Sequence, residues 1–171
     1  MDARPRRCGA AARLFLAAAL AAFASGAAVA AEGPAAPDFA LASTAGSNYR
    51  LSEYRGEVVA LVFWASWCGD CRRELERFER LRRTYGGVGL TVLGVNLDTE
   101  PARAQALAGA AGIGFPVLID AGKDVSRTYH ADDLPLIVLI DRHGAIRARH
   151  TALDERDEGG LLVNLRDLID E

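Results

Sequence analysis

Two cysteines separated by two residues, Cys68 and Cys71, lie where an apolar run passes into a helical pattern. The run, 58–64, has the length and composition of a buried strand, and residues 75–85 place large apolar side chains at helical spacing. A Cys pair at such a junction can close a small disulfide ring, and the N-terminus of the helix favours a thiolate. Because the thiolate is the species that attacks disulfides, the segment predicts a thiol–disulfide exchange site.

Other uses of a Cys pair fit the sequence less well. A structural zinc site usually needs four ligands, and His130, His143 and His150 lie far from the pair without the usual spacing. Covalent haem attachment requires His directly after the second Cys, where this chain has Arg72. A purely structural bridge usually closes a longer loop, because the gain in stability grows with loop length. The pair therefore predicts redox chemistry that uses neither a metal nor a cofactor.

The first thirty residues have the layout of a secretory signal peptide. A basic start precedes an apolar, Ala-rich stretch at 14–23, and Ala28-Val29-Ala30 supplies the small residues of a cleavage site. We expect cleavage near Ala30 and a periplasmic protein, the alternative being an uncleaved anchor helix over 14–31 that barely reaches spanning length. The predicted organisation is a signal peptide at 1–30, a flexible lead-in at 31–36 and one domain at 37–171.

Cleavage would leave Cys68 and Cys71 as the only cysteines, because the third, Cys8, lies in the predicted signal peptide. The pair must then attack and resolve by itself, and in an oxidising compartment it needs a membrane or periplasmic electron donor to stay reduced. The signal segment holds four Arg and one Asp, so the remaining chain carries a net charge of −6 when the whole chain carries −3. An acidic domain without a basic cluster argues against nucleic-acid binding.

The remaining residues, about 140, suit one domain in which strand and helix patterns alternate. Two short strands are predicted within 38–50 and a helical turn at 51–54. The predicted elements that follow are strand 57–64, helix 69–85, strand 90–96, a helix opened by Pro101, strand 115–119, helix 123–130, strands 135–140 and 145–150 joined by a turn at 141–144, and helix 158–169. This order predicts an α/β fold whose mixed central sheet is covered by helices on both faces.

Five short segments occur in the order seen in secreted thioredoxin-like reductases. They are Pro37-Asp38-Phe39, 51–56 (Leu-Ser-Glu-Tyr-Arg-Gly), 63–68 (Phe-Trp-Ala-Ser-Trp-Cys), Leu134-Pro135 and 140–144 (Ile-Asp-Arg-His-Gly). On these residues the chain resembles the TlpA/ResA branch of bacterial thioredoxin-fold proteins over residues 37–169. The resemblance implies a thioredoxin-like fold with an N-terminal β-hairpin and an extra helix–strand insertion at about 101–119.

The resemblance also implies roles for single residues. Cys68 would be the exposed nucleophile and Cys71 the buried resolving thiol. Pro135 would be a cis-proline facing the disulfide, the alternative being an ordinary trans-proline at the start of a strand. Trp64 is expected to lie mostly in the core. The residues expected to contact the substrate are Trp67, Gly69, Asp70 and Leu134.

Some residues depart from the pattern of the branch. Asp70 stands where a proline is common, and an anion beside the Cys68 thiolate predicts a more reducing couple, although Arg72 and Arg73 act in the opposite direction. Leu134 replaces a Thr or Val, and its bulk is expected to narrow the choice of partner.

The proton acceptor is defined less sharply by the sequence. Val62 stands where thioredoxins often bury an acid, and in the branch that this chain resembles an acid from the loop before the insertion can replace it. Asp98 and Glu100 lie in that loop, and we select Glu100 as the catalytic acid. The alternative for either residue is that it caps the following helix.

The sequence thus predicts a monomeric, periplasmic thiol–disulfide oxidoreductase that reduces client proteins, such as those of cytochrome c biogenesis. A peroxiredoxin-like peroxidase is one alternative, but such peroxidases place Thr three residues before the reactive Cys, where this chain has Ala65. A non-enzymatic copper chaperone is the other, although no His or Met is evident beside the two thiols. Membrane contact is expected only if the N-terminal segment stays uncleaved.

Overall fold

The computed structural model describes residues 33–151 and 155–171, and for 155–158 it describes the backbone alone. The signal peptide predicted at 1–30 lies outside the described residues. The strands are β1 (Ala40–Ala42), β2 (Asn48–Arg50), β3 (Val58–Trp64), β4 (Leu90–Asn96), β5 (Val117–Ile119), β6 (Leu136–Ile140) and β7 (Ile146–Thr151). The helices are α1 (Cys71–Tyr85), α2 (Pro101–Ala110), α3 (Asp124–Thr128) and α4 (Glu155–Asp170), with 3-10 turns at Leu51–Tyr54 and Gly86–Val88.

Five strands form the central sheet in the order β5-β4-β3-β6-β7. Strand β3 runs parallel to β4, β4 runs parallel to β5, and β6 is antiparallel to both of its neighbours, β3 and β7. All seven residues of β3 are apolar and buried, which is why this strand occupies the centre of the sheet. The predicted mixed sheet is therefore confirmed, and β1 pairs with β2 in a separate N-terminal hairpin.

The core has two layers because successive side chains of β3 point to opposite faces of the sheet. One layer packs against buried side chains of α1, α2 and α4, and the other packs against α3 and the N-terminal segment. Helices thus cover both faces, as the strand–helix alternation predicts. The β3 residues of the first layer are Val58, Ala60, Val62 and Trp64, and those of the second are Val59, Leu61 and Phe63.

Helix α1 begins at Cys71, two residues later than predicted, and buries Leu75, Phe78 and Leu81 against the sheet. The unit α2–β5 adds one strand beyond β4, and it is the helix–strand insertion expected from the resemblance. The turn between β6 and β7 contains Gly144 with φ +81°, a left-handed conformation that glycine adopts without strain. Among the described residues, none of the helices combines the length and apolarity needed to cross a membrane.

Candidate active site

Cys68 and Cys71 form a disulfide in the structure, with their Cα atoms 5.4 Å apart. A tight turn leads into the pair, since the Cys68 N–H donates to the Ala65 carbonyl at 3.2 Å. Cys71 then opens α1, so that the second sulfur sits on the first turn of a helix. The turn and the helix together hold the two sulfurs at the carboxyl end of the central strand.

The two cysteines differ in their exposure to solvent. Cys71 is fully buried in the core layer beneath α1, whereas Cys68 is only partly buried. Trp67, directly before Cys68, is 64% exposed, while Trp64 is entirely buried in the same layer as Cys71. The arrangement gives one accessible sulfur next to an exposed aromatic ring and one sheltered sulfur behind it. The expectation that Trp64 belongs to the core is confirmed.

The loop before β6 lies at the same edge of the sheet as the cysteine pair. Because β6 is antiparallel to β3, with Leu136 opposite Phe63, the start of β6 adjoins the end of β3. The Leu134–Pro135 peptide bond is cis, as the resemblance implies. Pro135 is buried, and Leu134 is partly buried against both core layers. The structure therefore brings the predicted proline loop to the carboxyl end of the strand that carries the disulfide.

Charged side chains surround the exposed part of the site and form ion pairs among themselves. Asp70 is 60% exposed and lies 3.5 Å from Arg73. The Arg72 guanidinium donates to Glu76 at 3.0 Å, one helical turn further along α1. Both arginines are thus engaged with carboxylates at the surface. Gly69, between the cysteines, is exposed and leaves the approach to Cys68 free of a side chain.

The two acids of the loop after β4 have different surroundings. Asp98 is 3% exposed and accepts hydrogen bonds from the backbone N–H and the hydroxyl of Ser66, two residues before Cys68. Glu100 has a side chain that is 63% exposed, and its hydrogen bonds come from Arg103. The alternative that one of them caps α2 holds for Glu100 by its position alone. Glu100 occupies the N-cap position without a side-chain cap bond, and the carboxylate of Asp98 is bound to Ser66 instead.

The sequence interpretation missed Glu74, the first acid of α1. Its side chain is almost fully buried, and it lies three residues after Cys71, so both project from the same face of the helix. Its carboxylate lies 3.8 Å from the guanidinium of Arg77, which is also buried. A signal was present in the sequence, because position 74 falls on the apolar stripe defined by Cys71, Leu75 and Phe78. A charged residue on such a stripe marks a buried ionisable group.

A second buried acid of α1, Glu79, links the helix to the loop before β5. It accepts hydrogen bonds from Arg82, from Arg83 and from the backbone N–H of Gly114, at 2.8–3.0 Å. The hydrogen bond from Arg82, reinforced by those from Gly114 and Arg83, lowers the pKa of Glu79 to about 2. This acid is neutralised by two arginines, in contrast to Asp98. In the described part of the chain, no group of three or more Cys, His, Asp or Glu side chains is placed to hold a metal ion.

Comparison with known proteins agrees with this geometry. A model of the AhpC/TSA family matches residues 33–149. The thiol-disulfide oxidoreductase ResA of Geobacillus kaustophilus is 37% identical over 115 residues, which cover 67% of this chain and 66% of the relative. The thioredoxin-like protein YneN of Bacillus subtilis is 32% identical over 130 residues, covering 74% of this chain and 75% of the relative. The resemblance to the TlpA/ResA branch is therefore confirmed.

A solved structure extends the similarity to the whole fold. A crystal structure from Chlorobium tepidum, assigned as a thiol:disulfide interchange protein DsbE, superposes with a TM-score of 0.76 at 33% identity. The superposition covers 80% of this chain and 96% of that one. The predicted thioredoxin-like fold is confirmed, and the fold and the cysteine pair of this chain are those of a thiol–disulfide oxidoreductase.

Proposed function

This chain belongs to the AhpC/TSA family, and from that premise we propose that it is a reductase of protein disulfides that works outside the cytoplasm. One observation carries the proposal: a partly exposed Cys68 is bonded to a buried Cys71 at the start of α1. A two-step exchange through a mixed disulfide uses one sulfur that a partner can reach, here that of Cys68, and a second sulfur beside it, here that of the buried Cys71.

The proposed reaction begins with the reduced pair. The Cys68 thiolate attacks one sulfur of a client disulfide, the client S–S bond breaks, and the second client sulfur leaves as a thiolate. The Cys71 thiolate then attacks the Cys68 sulfur and releases the other client thiol. The client gains two electrons, and the Cys68–Cys71 disulfide seen here is the oxidised product. A dithiol donor in the same compartment returns two electrons to the pair.

Cys71 must lose its proton before the second step, in a place that water does not reach. We assign the acceptor role to Glu74, because it is buried on the same helix face one turn away. Glu100 is less suited to the task, since its side chain is 63% exposed to solvent. The variant Glu74→Gln should slow release of the client from the mixed disulfide while leaving formation of that intermediate intact.

Client contacts are proposed for the exposed surface around Cys68. Trp67 offers an apolar face, and the backbone at Leu134 can pair with an extended client segment beside Pro135. Gly69 leaves room for the client backbone, and Asp70 places an acid at the rim. We propose proteins of cytochrome c biogenesis as the clients, on the resemblance of this chain to the TlpA/ResA branch.

A location outside the cytoplasm is supported by the signal-like layout of residues 1–30. The full chain, expressed in a Gram-negative host, should be released by osmotic shock with a new N-terminus at residue 31 or 32. Retention with the membrane fraction would instead support the anchor helix.

The decisive test is the reduction potential of the Cys68–Cys71 couple, measured by equilibration in glutathione or dithiothreitol buffers followed by alkylation. A value near or below about −230 mV, at the reducing end of the thioredoxin-family range, supports a reductase. A value near about −120 mV would mean an oxidant that introduces disulfides, and the proposed direction would be wrong.

The two alternative functions are separated by direct assays. A peroxidase would consume peroxide with only a small thiol reductant present, whereas a disulfide reductase needs a disulfide substrate. A copper chaperone would retain about one Cu(I) per chain after purification under reducing conditions, as two thiolates favour this soft ion. Neither alternative accounts for a pair of which one sulfur is fully buried.

A further inference from the structure

We propose that Asp98 is a positioning residue for the redox pair. It holds the turn that presents Cys68 and keeps a negative charge at that edge of the sheet, and both effects make the Cys68–Cys71 couple more reducing. The inference deepens the proposed function and rests on it for its biological meaning.

Asp98 contacts the turn that precedes Cys68. The Ser66 backbone N–H donates to Asp98 Oδ2 at 3.0 Å, and the Ser66 hydroxyl donates to Oδ1 at 2.9 Å. Ser66 lies inside the tight turn closed by the hydrogen bond from Cys68 to Ala65. The carboxylate of Asp98 is therefore hydrogen-bonded to the turn that leads into Cys68, although the two residues it joins are 32 positions apart in the sequence.

Asn96, at the end of β4, holds Asp98 in place. The side-chain amide of Asn96 donates to Asp98 Oδ2 at 2.8 Å, and the Asp98 N–H donates to the Asn96 side-chain oxygen at 3.0 Å. The Leu97 N–H donates to the Trp64 carbonyl at 3.0 Å, which joins the ends of β3 and β4. Asn96 itself is fully buried. Asp98 is thus held at the end of the sheet, and displacement of the turn away from it would break the hydrogen bonds to Ser66.

The buried carboxylate of Asp98 also carries a negative charge. Asp98 is 3% exposed, and its nitrogen partners, the Ser66 N–H and the Asn96 amide, can only donate, as an ionised carboxylate requires. Among the described residues, no Lys, Arg or His side chain makes a hydrogen bond or ion pair with it. A buried charge of this kind is screened less than a surface charge. It opposes the negative charge that a Cys68 thiolate would bring in the reduced state.

Both effects act on one equilibrium. Closing the disulfide removes two electrons and two protons from the two thiols, and two molecules of glutathione are formed from one molecule of its disulfide. Holding the turn keeps the Cys68 sulfur near the Cys71 sulfur, which favours closure. The buried negative charge disfavours the thiolate form, which also favours closure. Loss of Asp98 should therefore make the pair easier to reduce.

Three variants separate the contributions. Asp98→Ala removes both the hydrogen bonds to Ser66 and the negative charge. Asp98→Asn removes the charge alone, because its amide oxygen can still accept from Ser66 N–H and Asn96 while its NH₂ donates to the Ser66 hydroxyl. Ser66→Ala removes the hydroxyl contact alone. The three variants leave the other ionisable side chains at this edge unchanged, among them Asp70, Arg72, Arg73, Glu74, Glu100, Asp120, Asp132 and Asp133.

The matched control is Asp120→Ala. Asp120 is also 3% exposed, follows the neighbouring strand β5, and accepts the backbone N–H groups of Val125 and Ser126. It differs in binding the start of α3 instead of the cysteine turn. Its removal should lower the free energy of unfolding as much as removal of Asp98 does. A purely structural acid would therefore behave like Asp120.

The experiment measures the equilibrium constant for disulfide formation in glutathione buffers, by alkylation and mass spectrometry, together with urea unfolding of each variant. We expect Asp98→Ala to lower this constant at least about tenfold, which corresponds to an upward shift of about 30 mV. Asp98→Asn and Ser66→Ala should each lower it at least about threefold, and Asp120→Ala should change it less than that.

The proposal is overturned if Asp98→Ala changes the constant less than about threefold, or if Asp120→Ala changes it as much. Should Asp98→Ala fail to fold, the decision passes to Asp98→Asn and Ser66→Ala, and changes below about threefold in both overturn it. The comparison among variants holds whether the native couple is reducing or oxidising. A native potential at the oxidising end would contradict the proposed function and leave this test intact.

Discussion

The two ends of the central sheet treat a buried aspartate in different ways. At the end that carries the disulfide, Asp98 accepts hydrogen bonds only from amide and hydroxyl groups among the described residues. At the opposite end, Asp141 is equally buried and accepts the N–H groups of His143 and Ala145, but it also receives Arg147 at 3.3 Å. The same side chain is therefore neutralised at one end and left charged at the other.

The two aspartates bind different parts of the fold. Asp141 closes the turn between β6 and β7, and the guanidinium of Arg147 also holds the side chain of Glu171 after α4. The attraction of an oppositely charged partner offsets part of the desolvation cost of a buried carboxylate, which suits an element whose role is stability. At the disulfide end Asp98 lies against the cysteine turn, so its charge also acts on the sulfurs. Asp120 is equally buried at the same end, but it binds the start of α3 and is expected to act on stability alone.

The largest effect belongs to the disulfide end. Cys68→Ser should lower the rate of disulfide reduction at least about a thousandfold, because a hydroxyl does not form the mixed disulfide. Cys71→Ser should instead accumulate that mixed disulfide, visible as a covalent adduct on a non-reducing gel. An adduct that formed through Cys71 in the Cys68→Ser protein would reverse the assigned roles.

At the opposite end of the sheet, substitution of Asp141 should lower the stability of the fold without changing the reduction potential. Asp141→Ala removes the acceptor of the His143 and Ala145 N–H groups and one of the two carboxylates that Arg147 binds, so we expect the free energy of unfolding to fall by about 2–4 kcal/mol. Urea unfolding measures this loss. The reduction potential of the cysteine pair should not move, and a shift as large as that of Asp98→Ala would remove the distinction between the two ends.

A third buried acid, Glu79, belongs with Asp141 because two arginines neutralise it. The pKa of Glu79 in the folded protein is about 2, below the ordinary 4.5, so its contribution to stability is complete above pH 4.5 and is lost as the pH falls toward 2. Glu79→Gln should lower the free energy of unfolding by about 1–2 kcal/mol at pH 7.

Urea unfolding of the native protein and Glu79→Gln at several pH values tests this sign. The difference between them should shrink below pH 4.5 and largely vanish near pH 2. Glu76→Gln on the same helix is the control, because Glu76 pairs with Arg72 at the surface and should matter by less than about 0.5 kcal/mol. A difference that persists unchanged at low pH would contradict the assignment.

The smallest effect is expected at Asp70, the acid between the cysteines. The sequence suggests that its charge makes the couple more reducing, but it is 60% exposed and lies beside Arg73, so water and the arginine screen it. Asp70→Asn should change the equilibrium constant for disulfide formation less than about twofold, or about 9 mV. A change larger than that of Asp98→Asn would mean that proximity outweighs burial.

Much of the fold could be predicted because its signals are local. The apolar run of β3 predicts a central strand, and the helical spacing of Leu75, Phe78 and Leu81 predicts the buried face of α1. The turn that contains Gly144 joins β6 and β7, and the sequence predicts both strands and the turn between them. The boundary of α1 differs by two residues, because Gly69 and Asp70 form a turn before the helix begins.

The candidate site was predicted only in its cysteine and proline components. Cys68, Cys71 and the Leu134–Pro135 bond are recognisable in the sequence from their spacing and order. Glu100 was selected as the acid because it follows β4 in a loop, yet that loop turns its side chain toward solvent. Glu74 could have been found from its place on an apolar stripe, since burial of a helix face follows from periodicity.

By itself, the sequence determined the order of strands and helices and the small ring between Cys68 and Cys71, because those depend on residues close together in the chain. Only the tertiary structure decided that Asp98 meets Ser66 and that Glu79 meets Gly114, across 32 and 35 residues. The first contact exists because β3 and β4 lie side by side and parallel, which brings their carboxyl ends to one edge. Which strands become neighbours depends on the packing of the whole core, and no short segment contains that information.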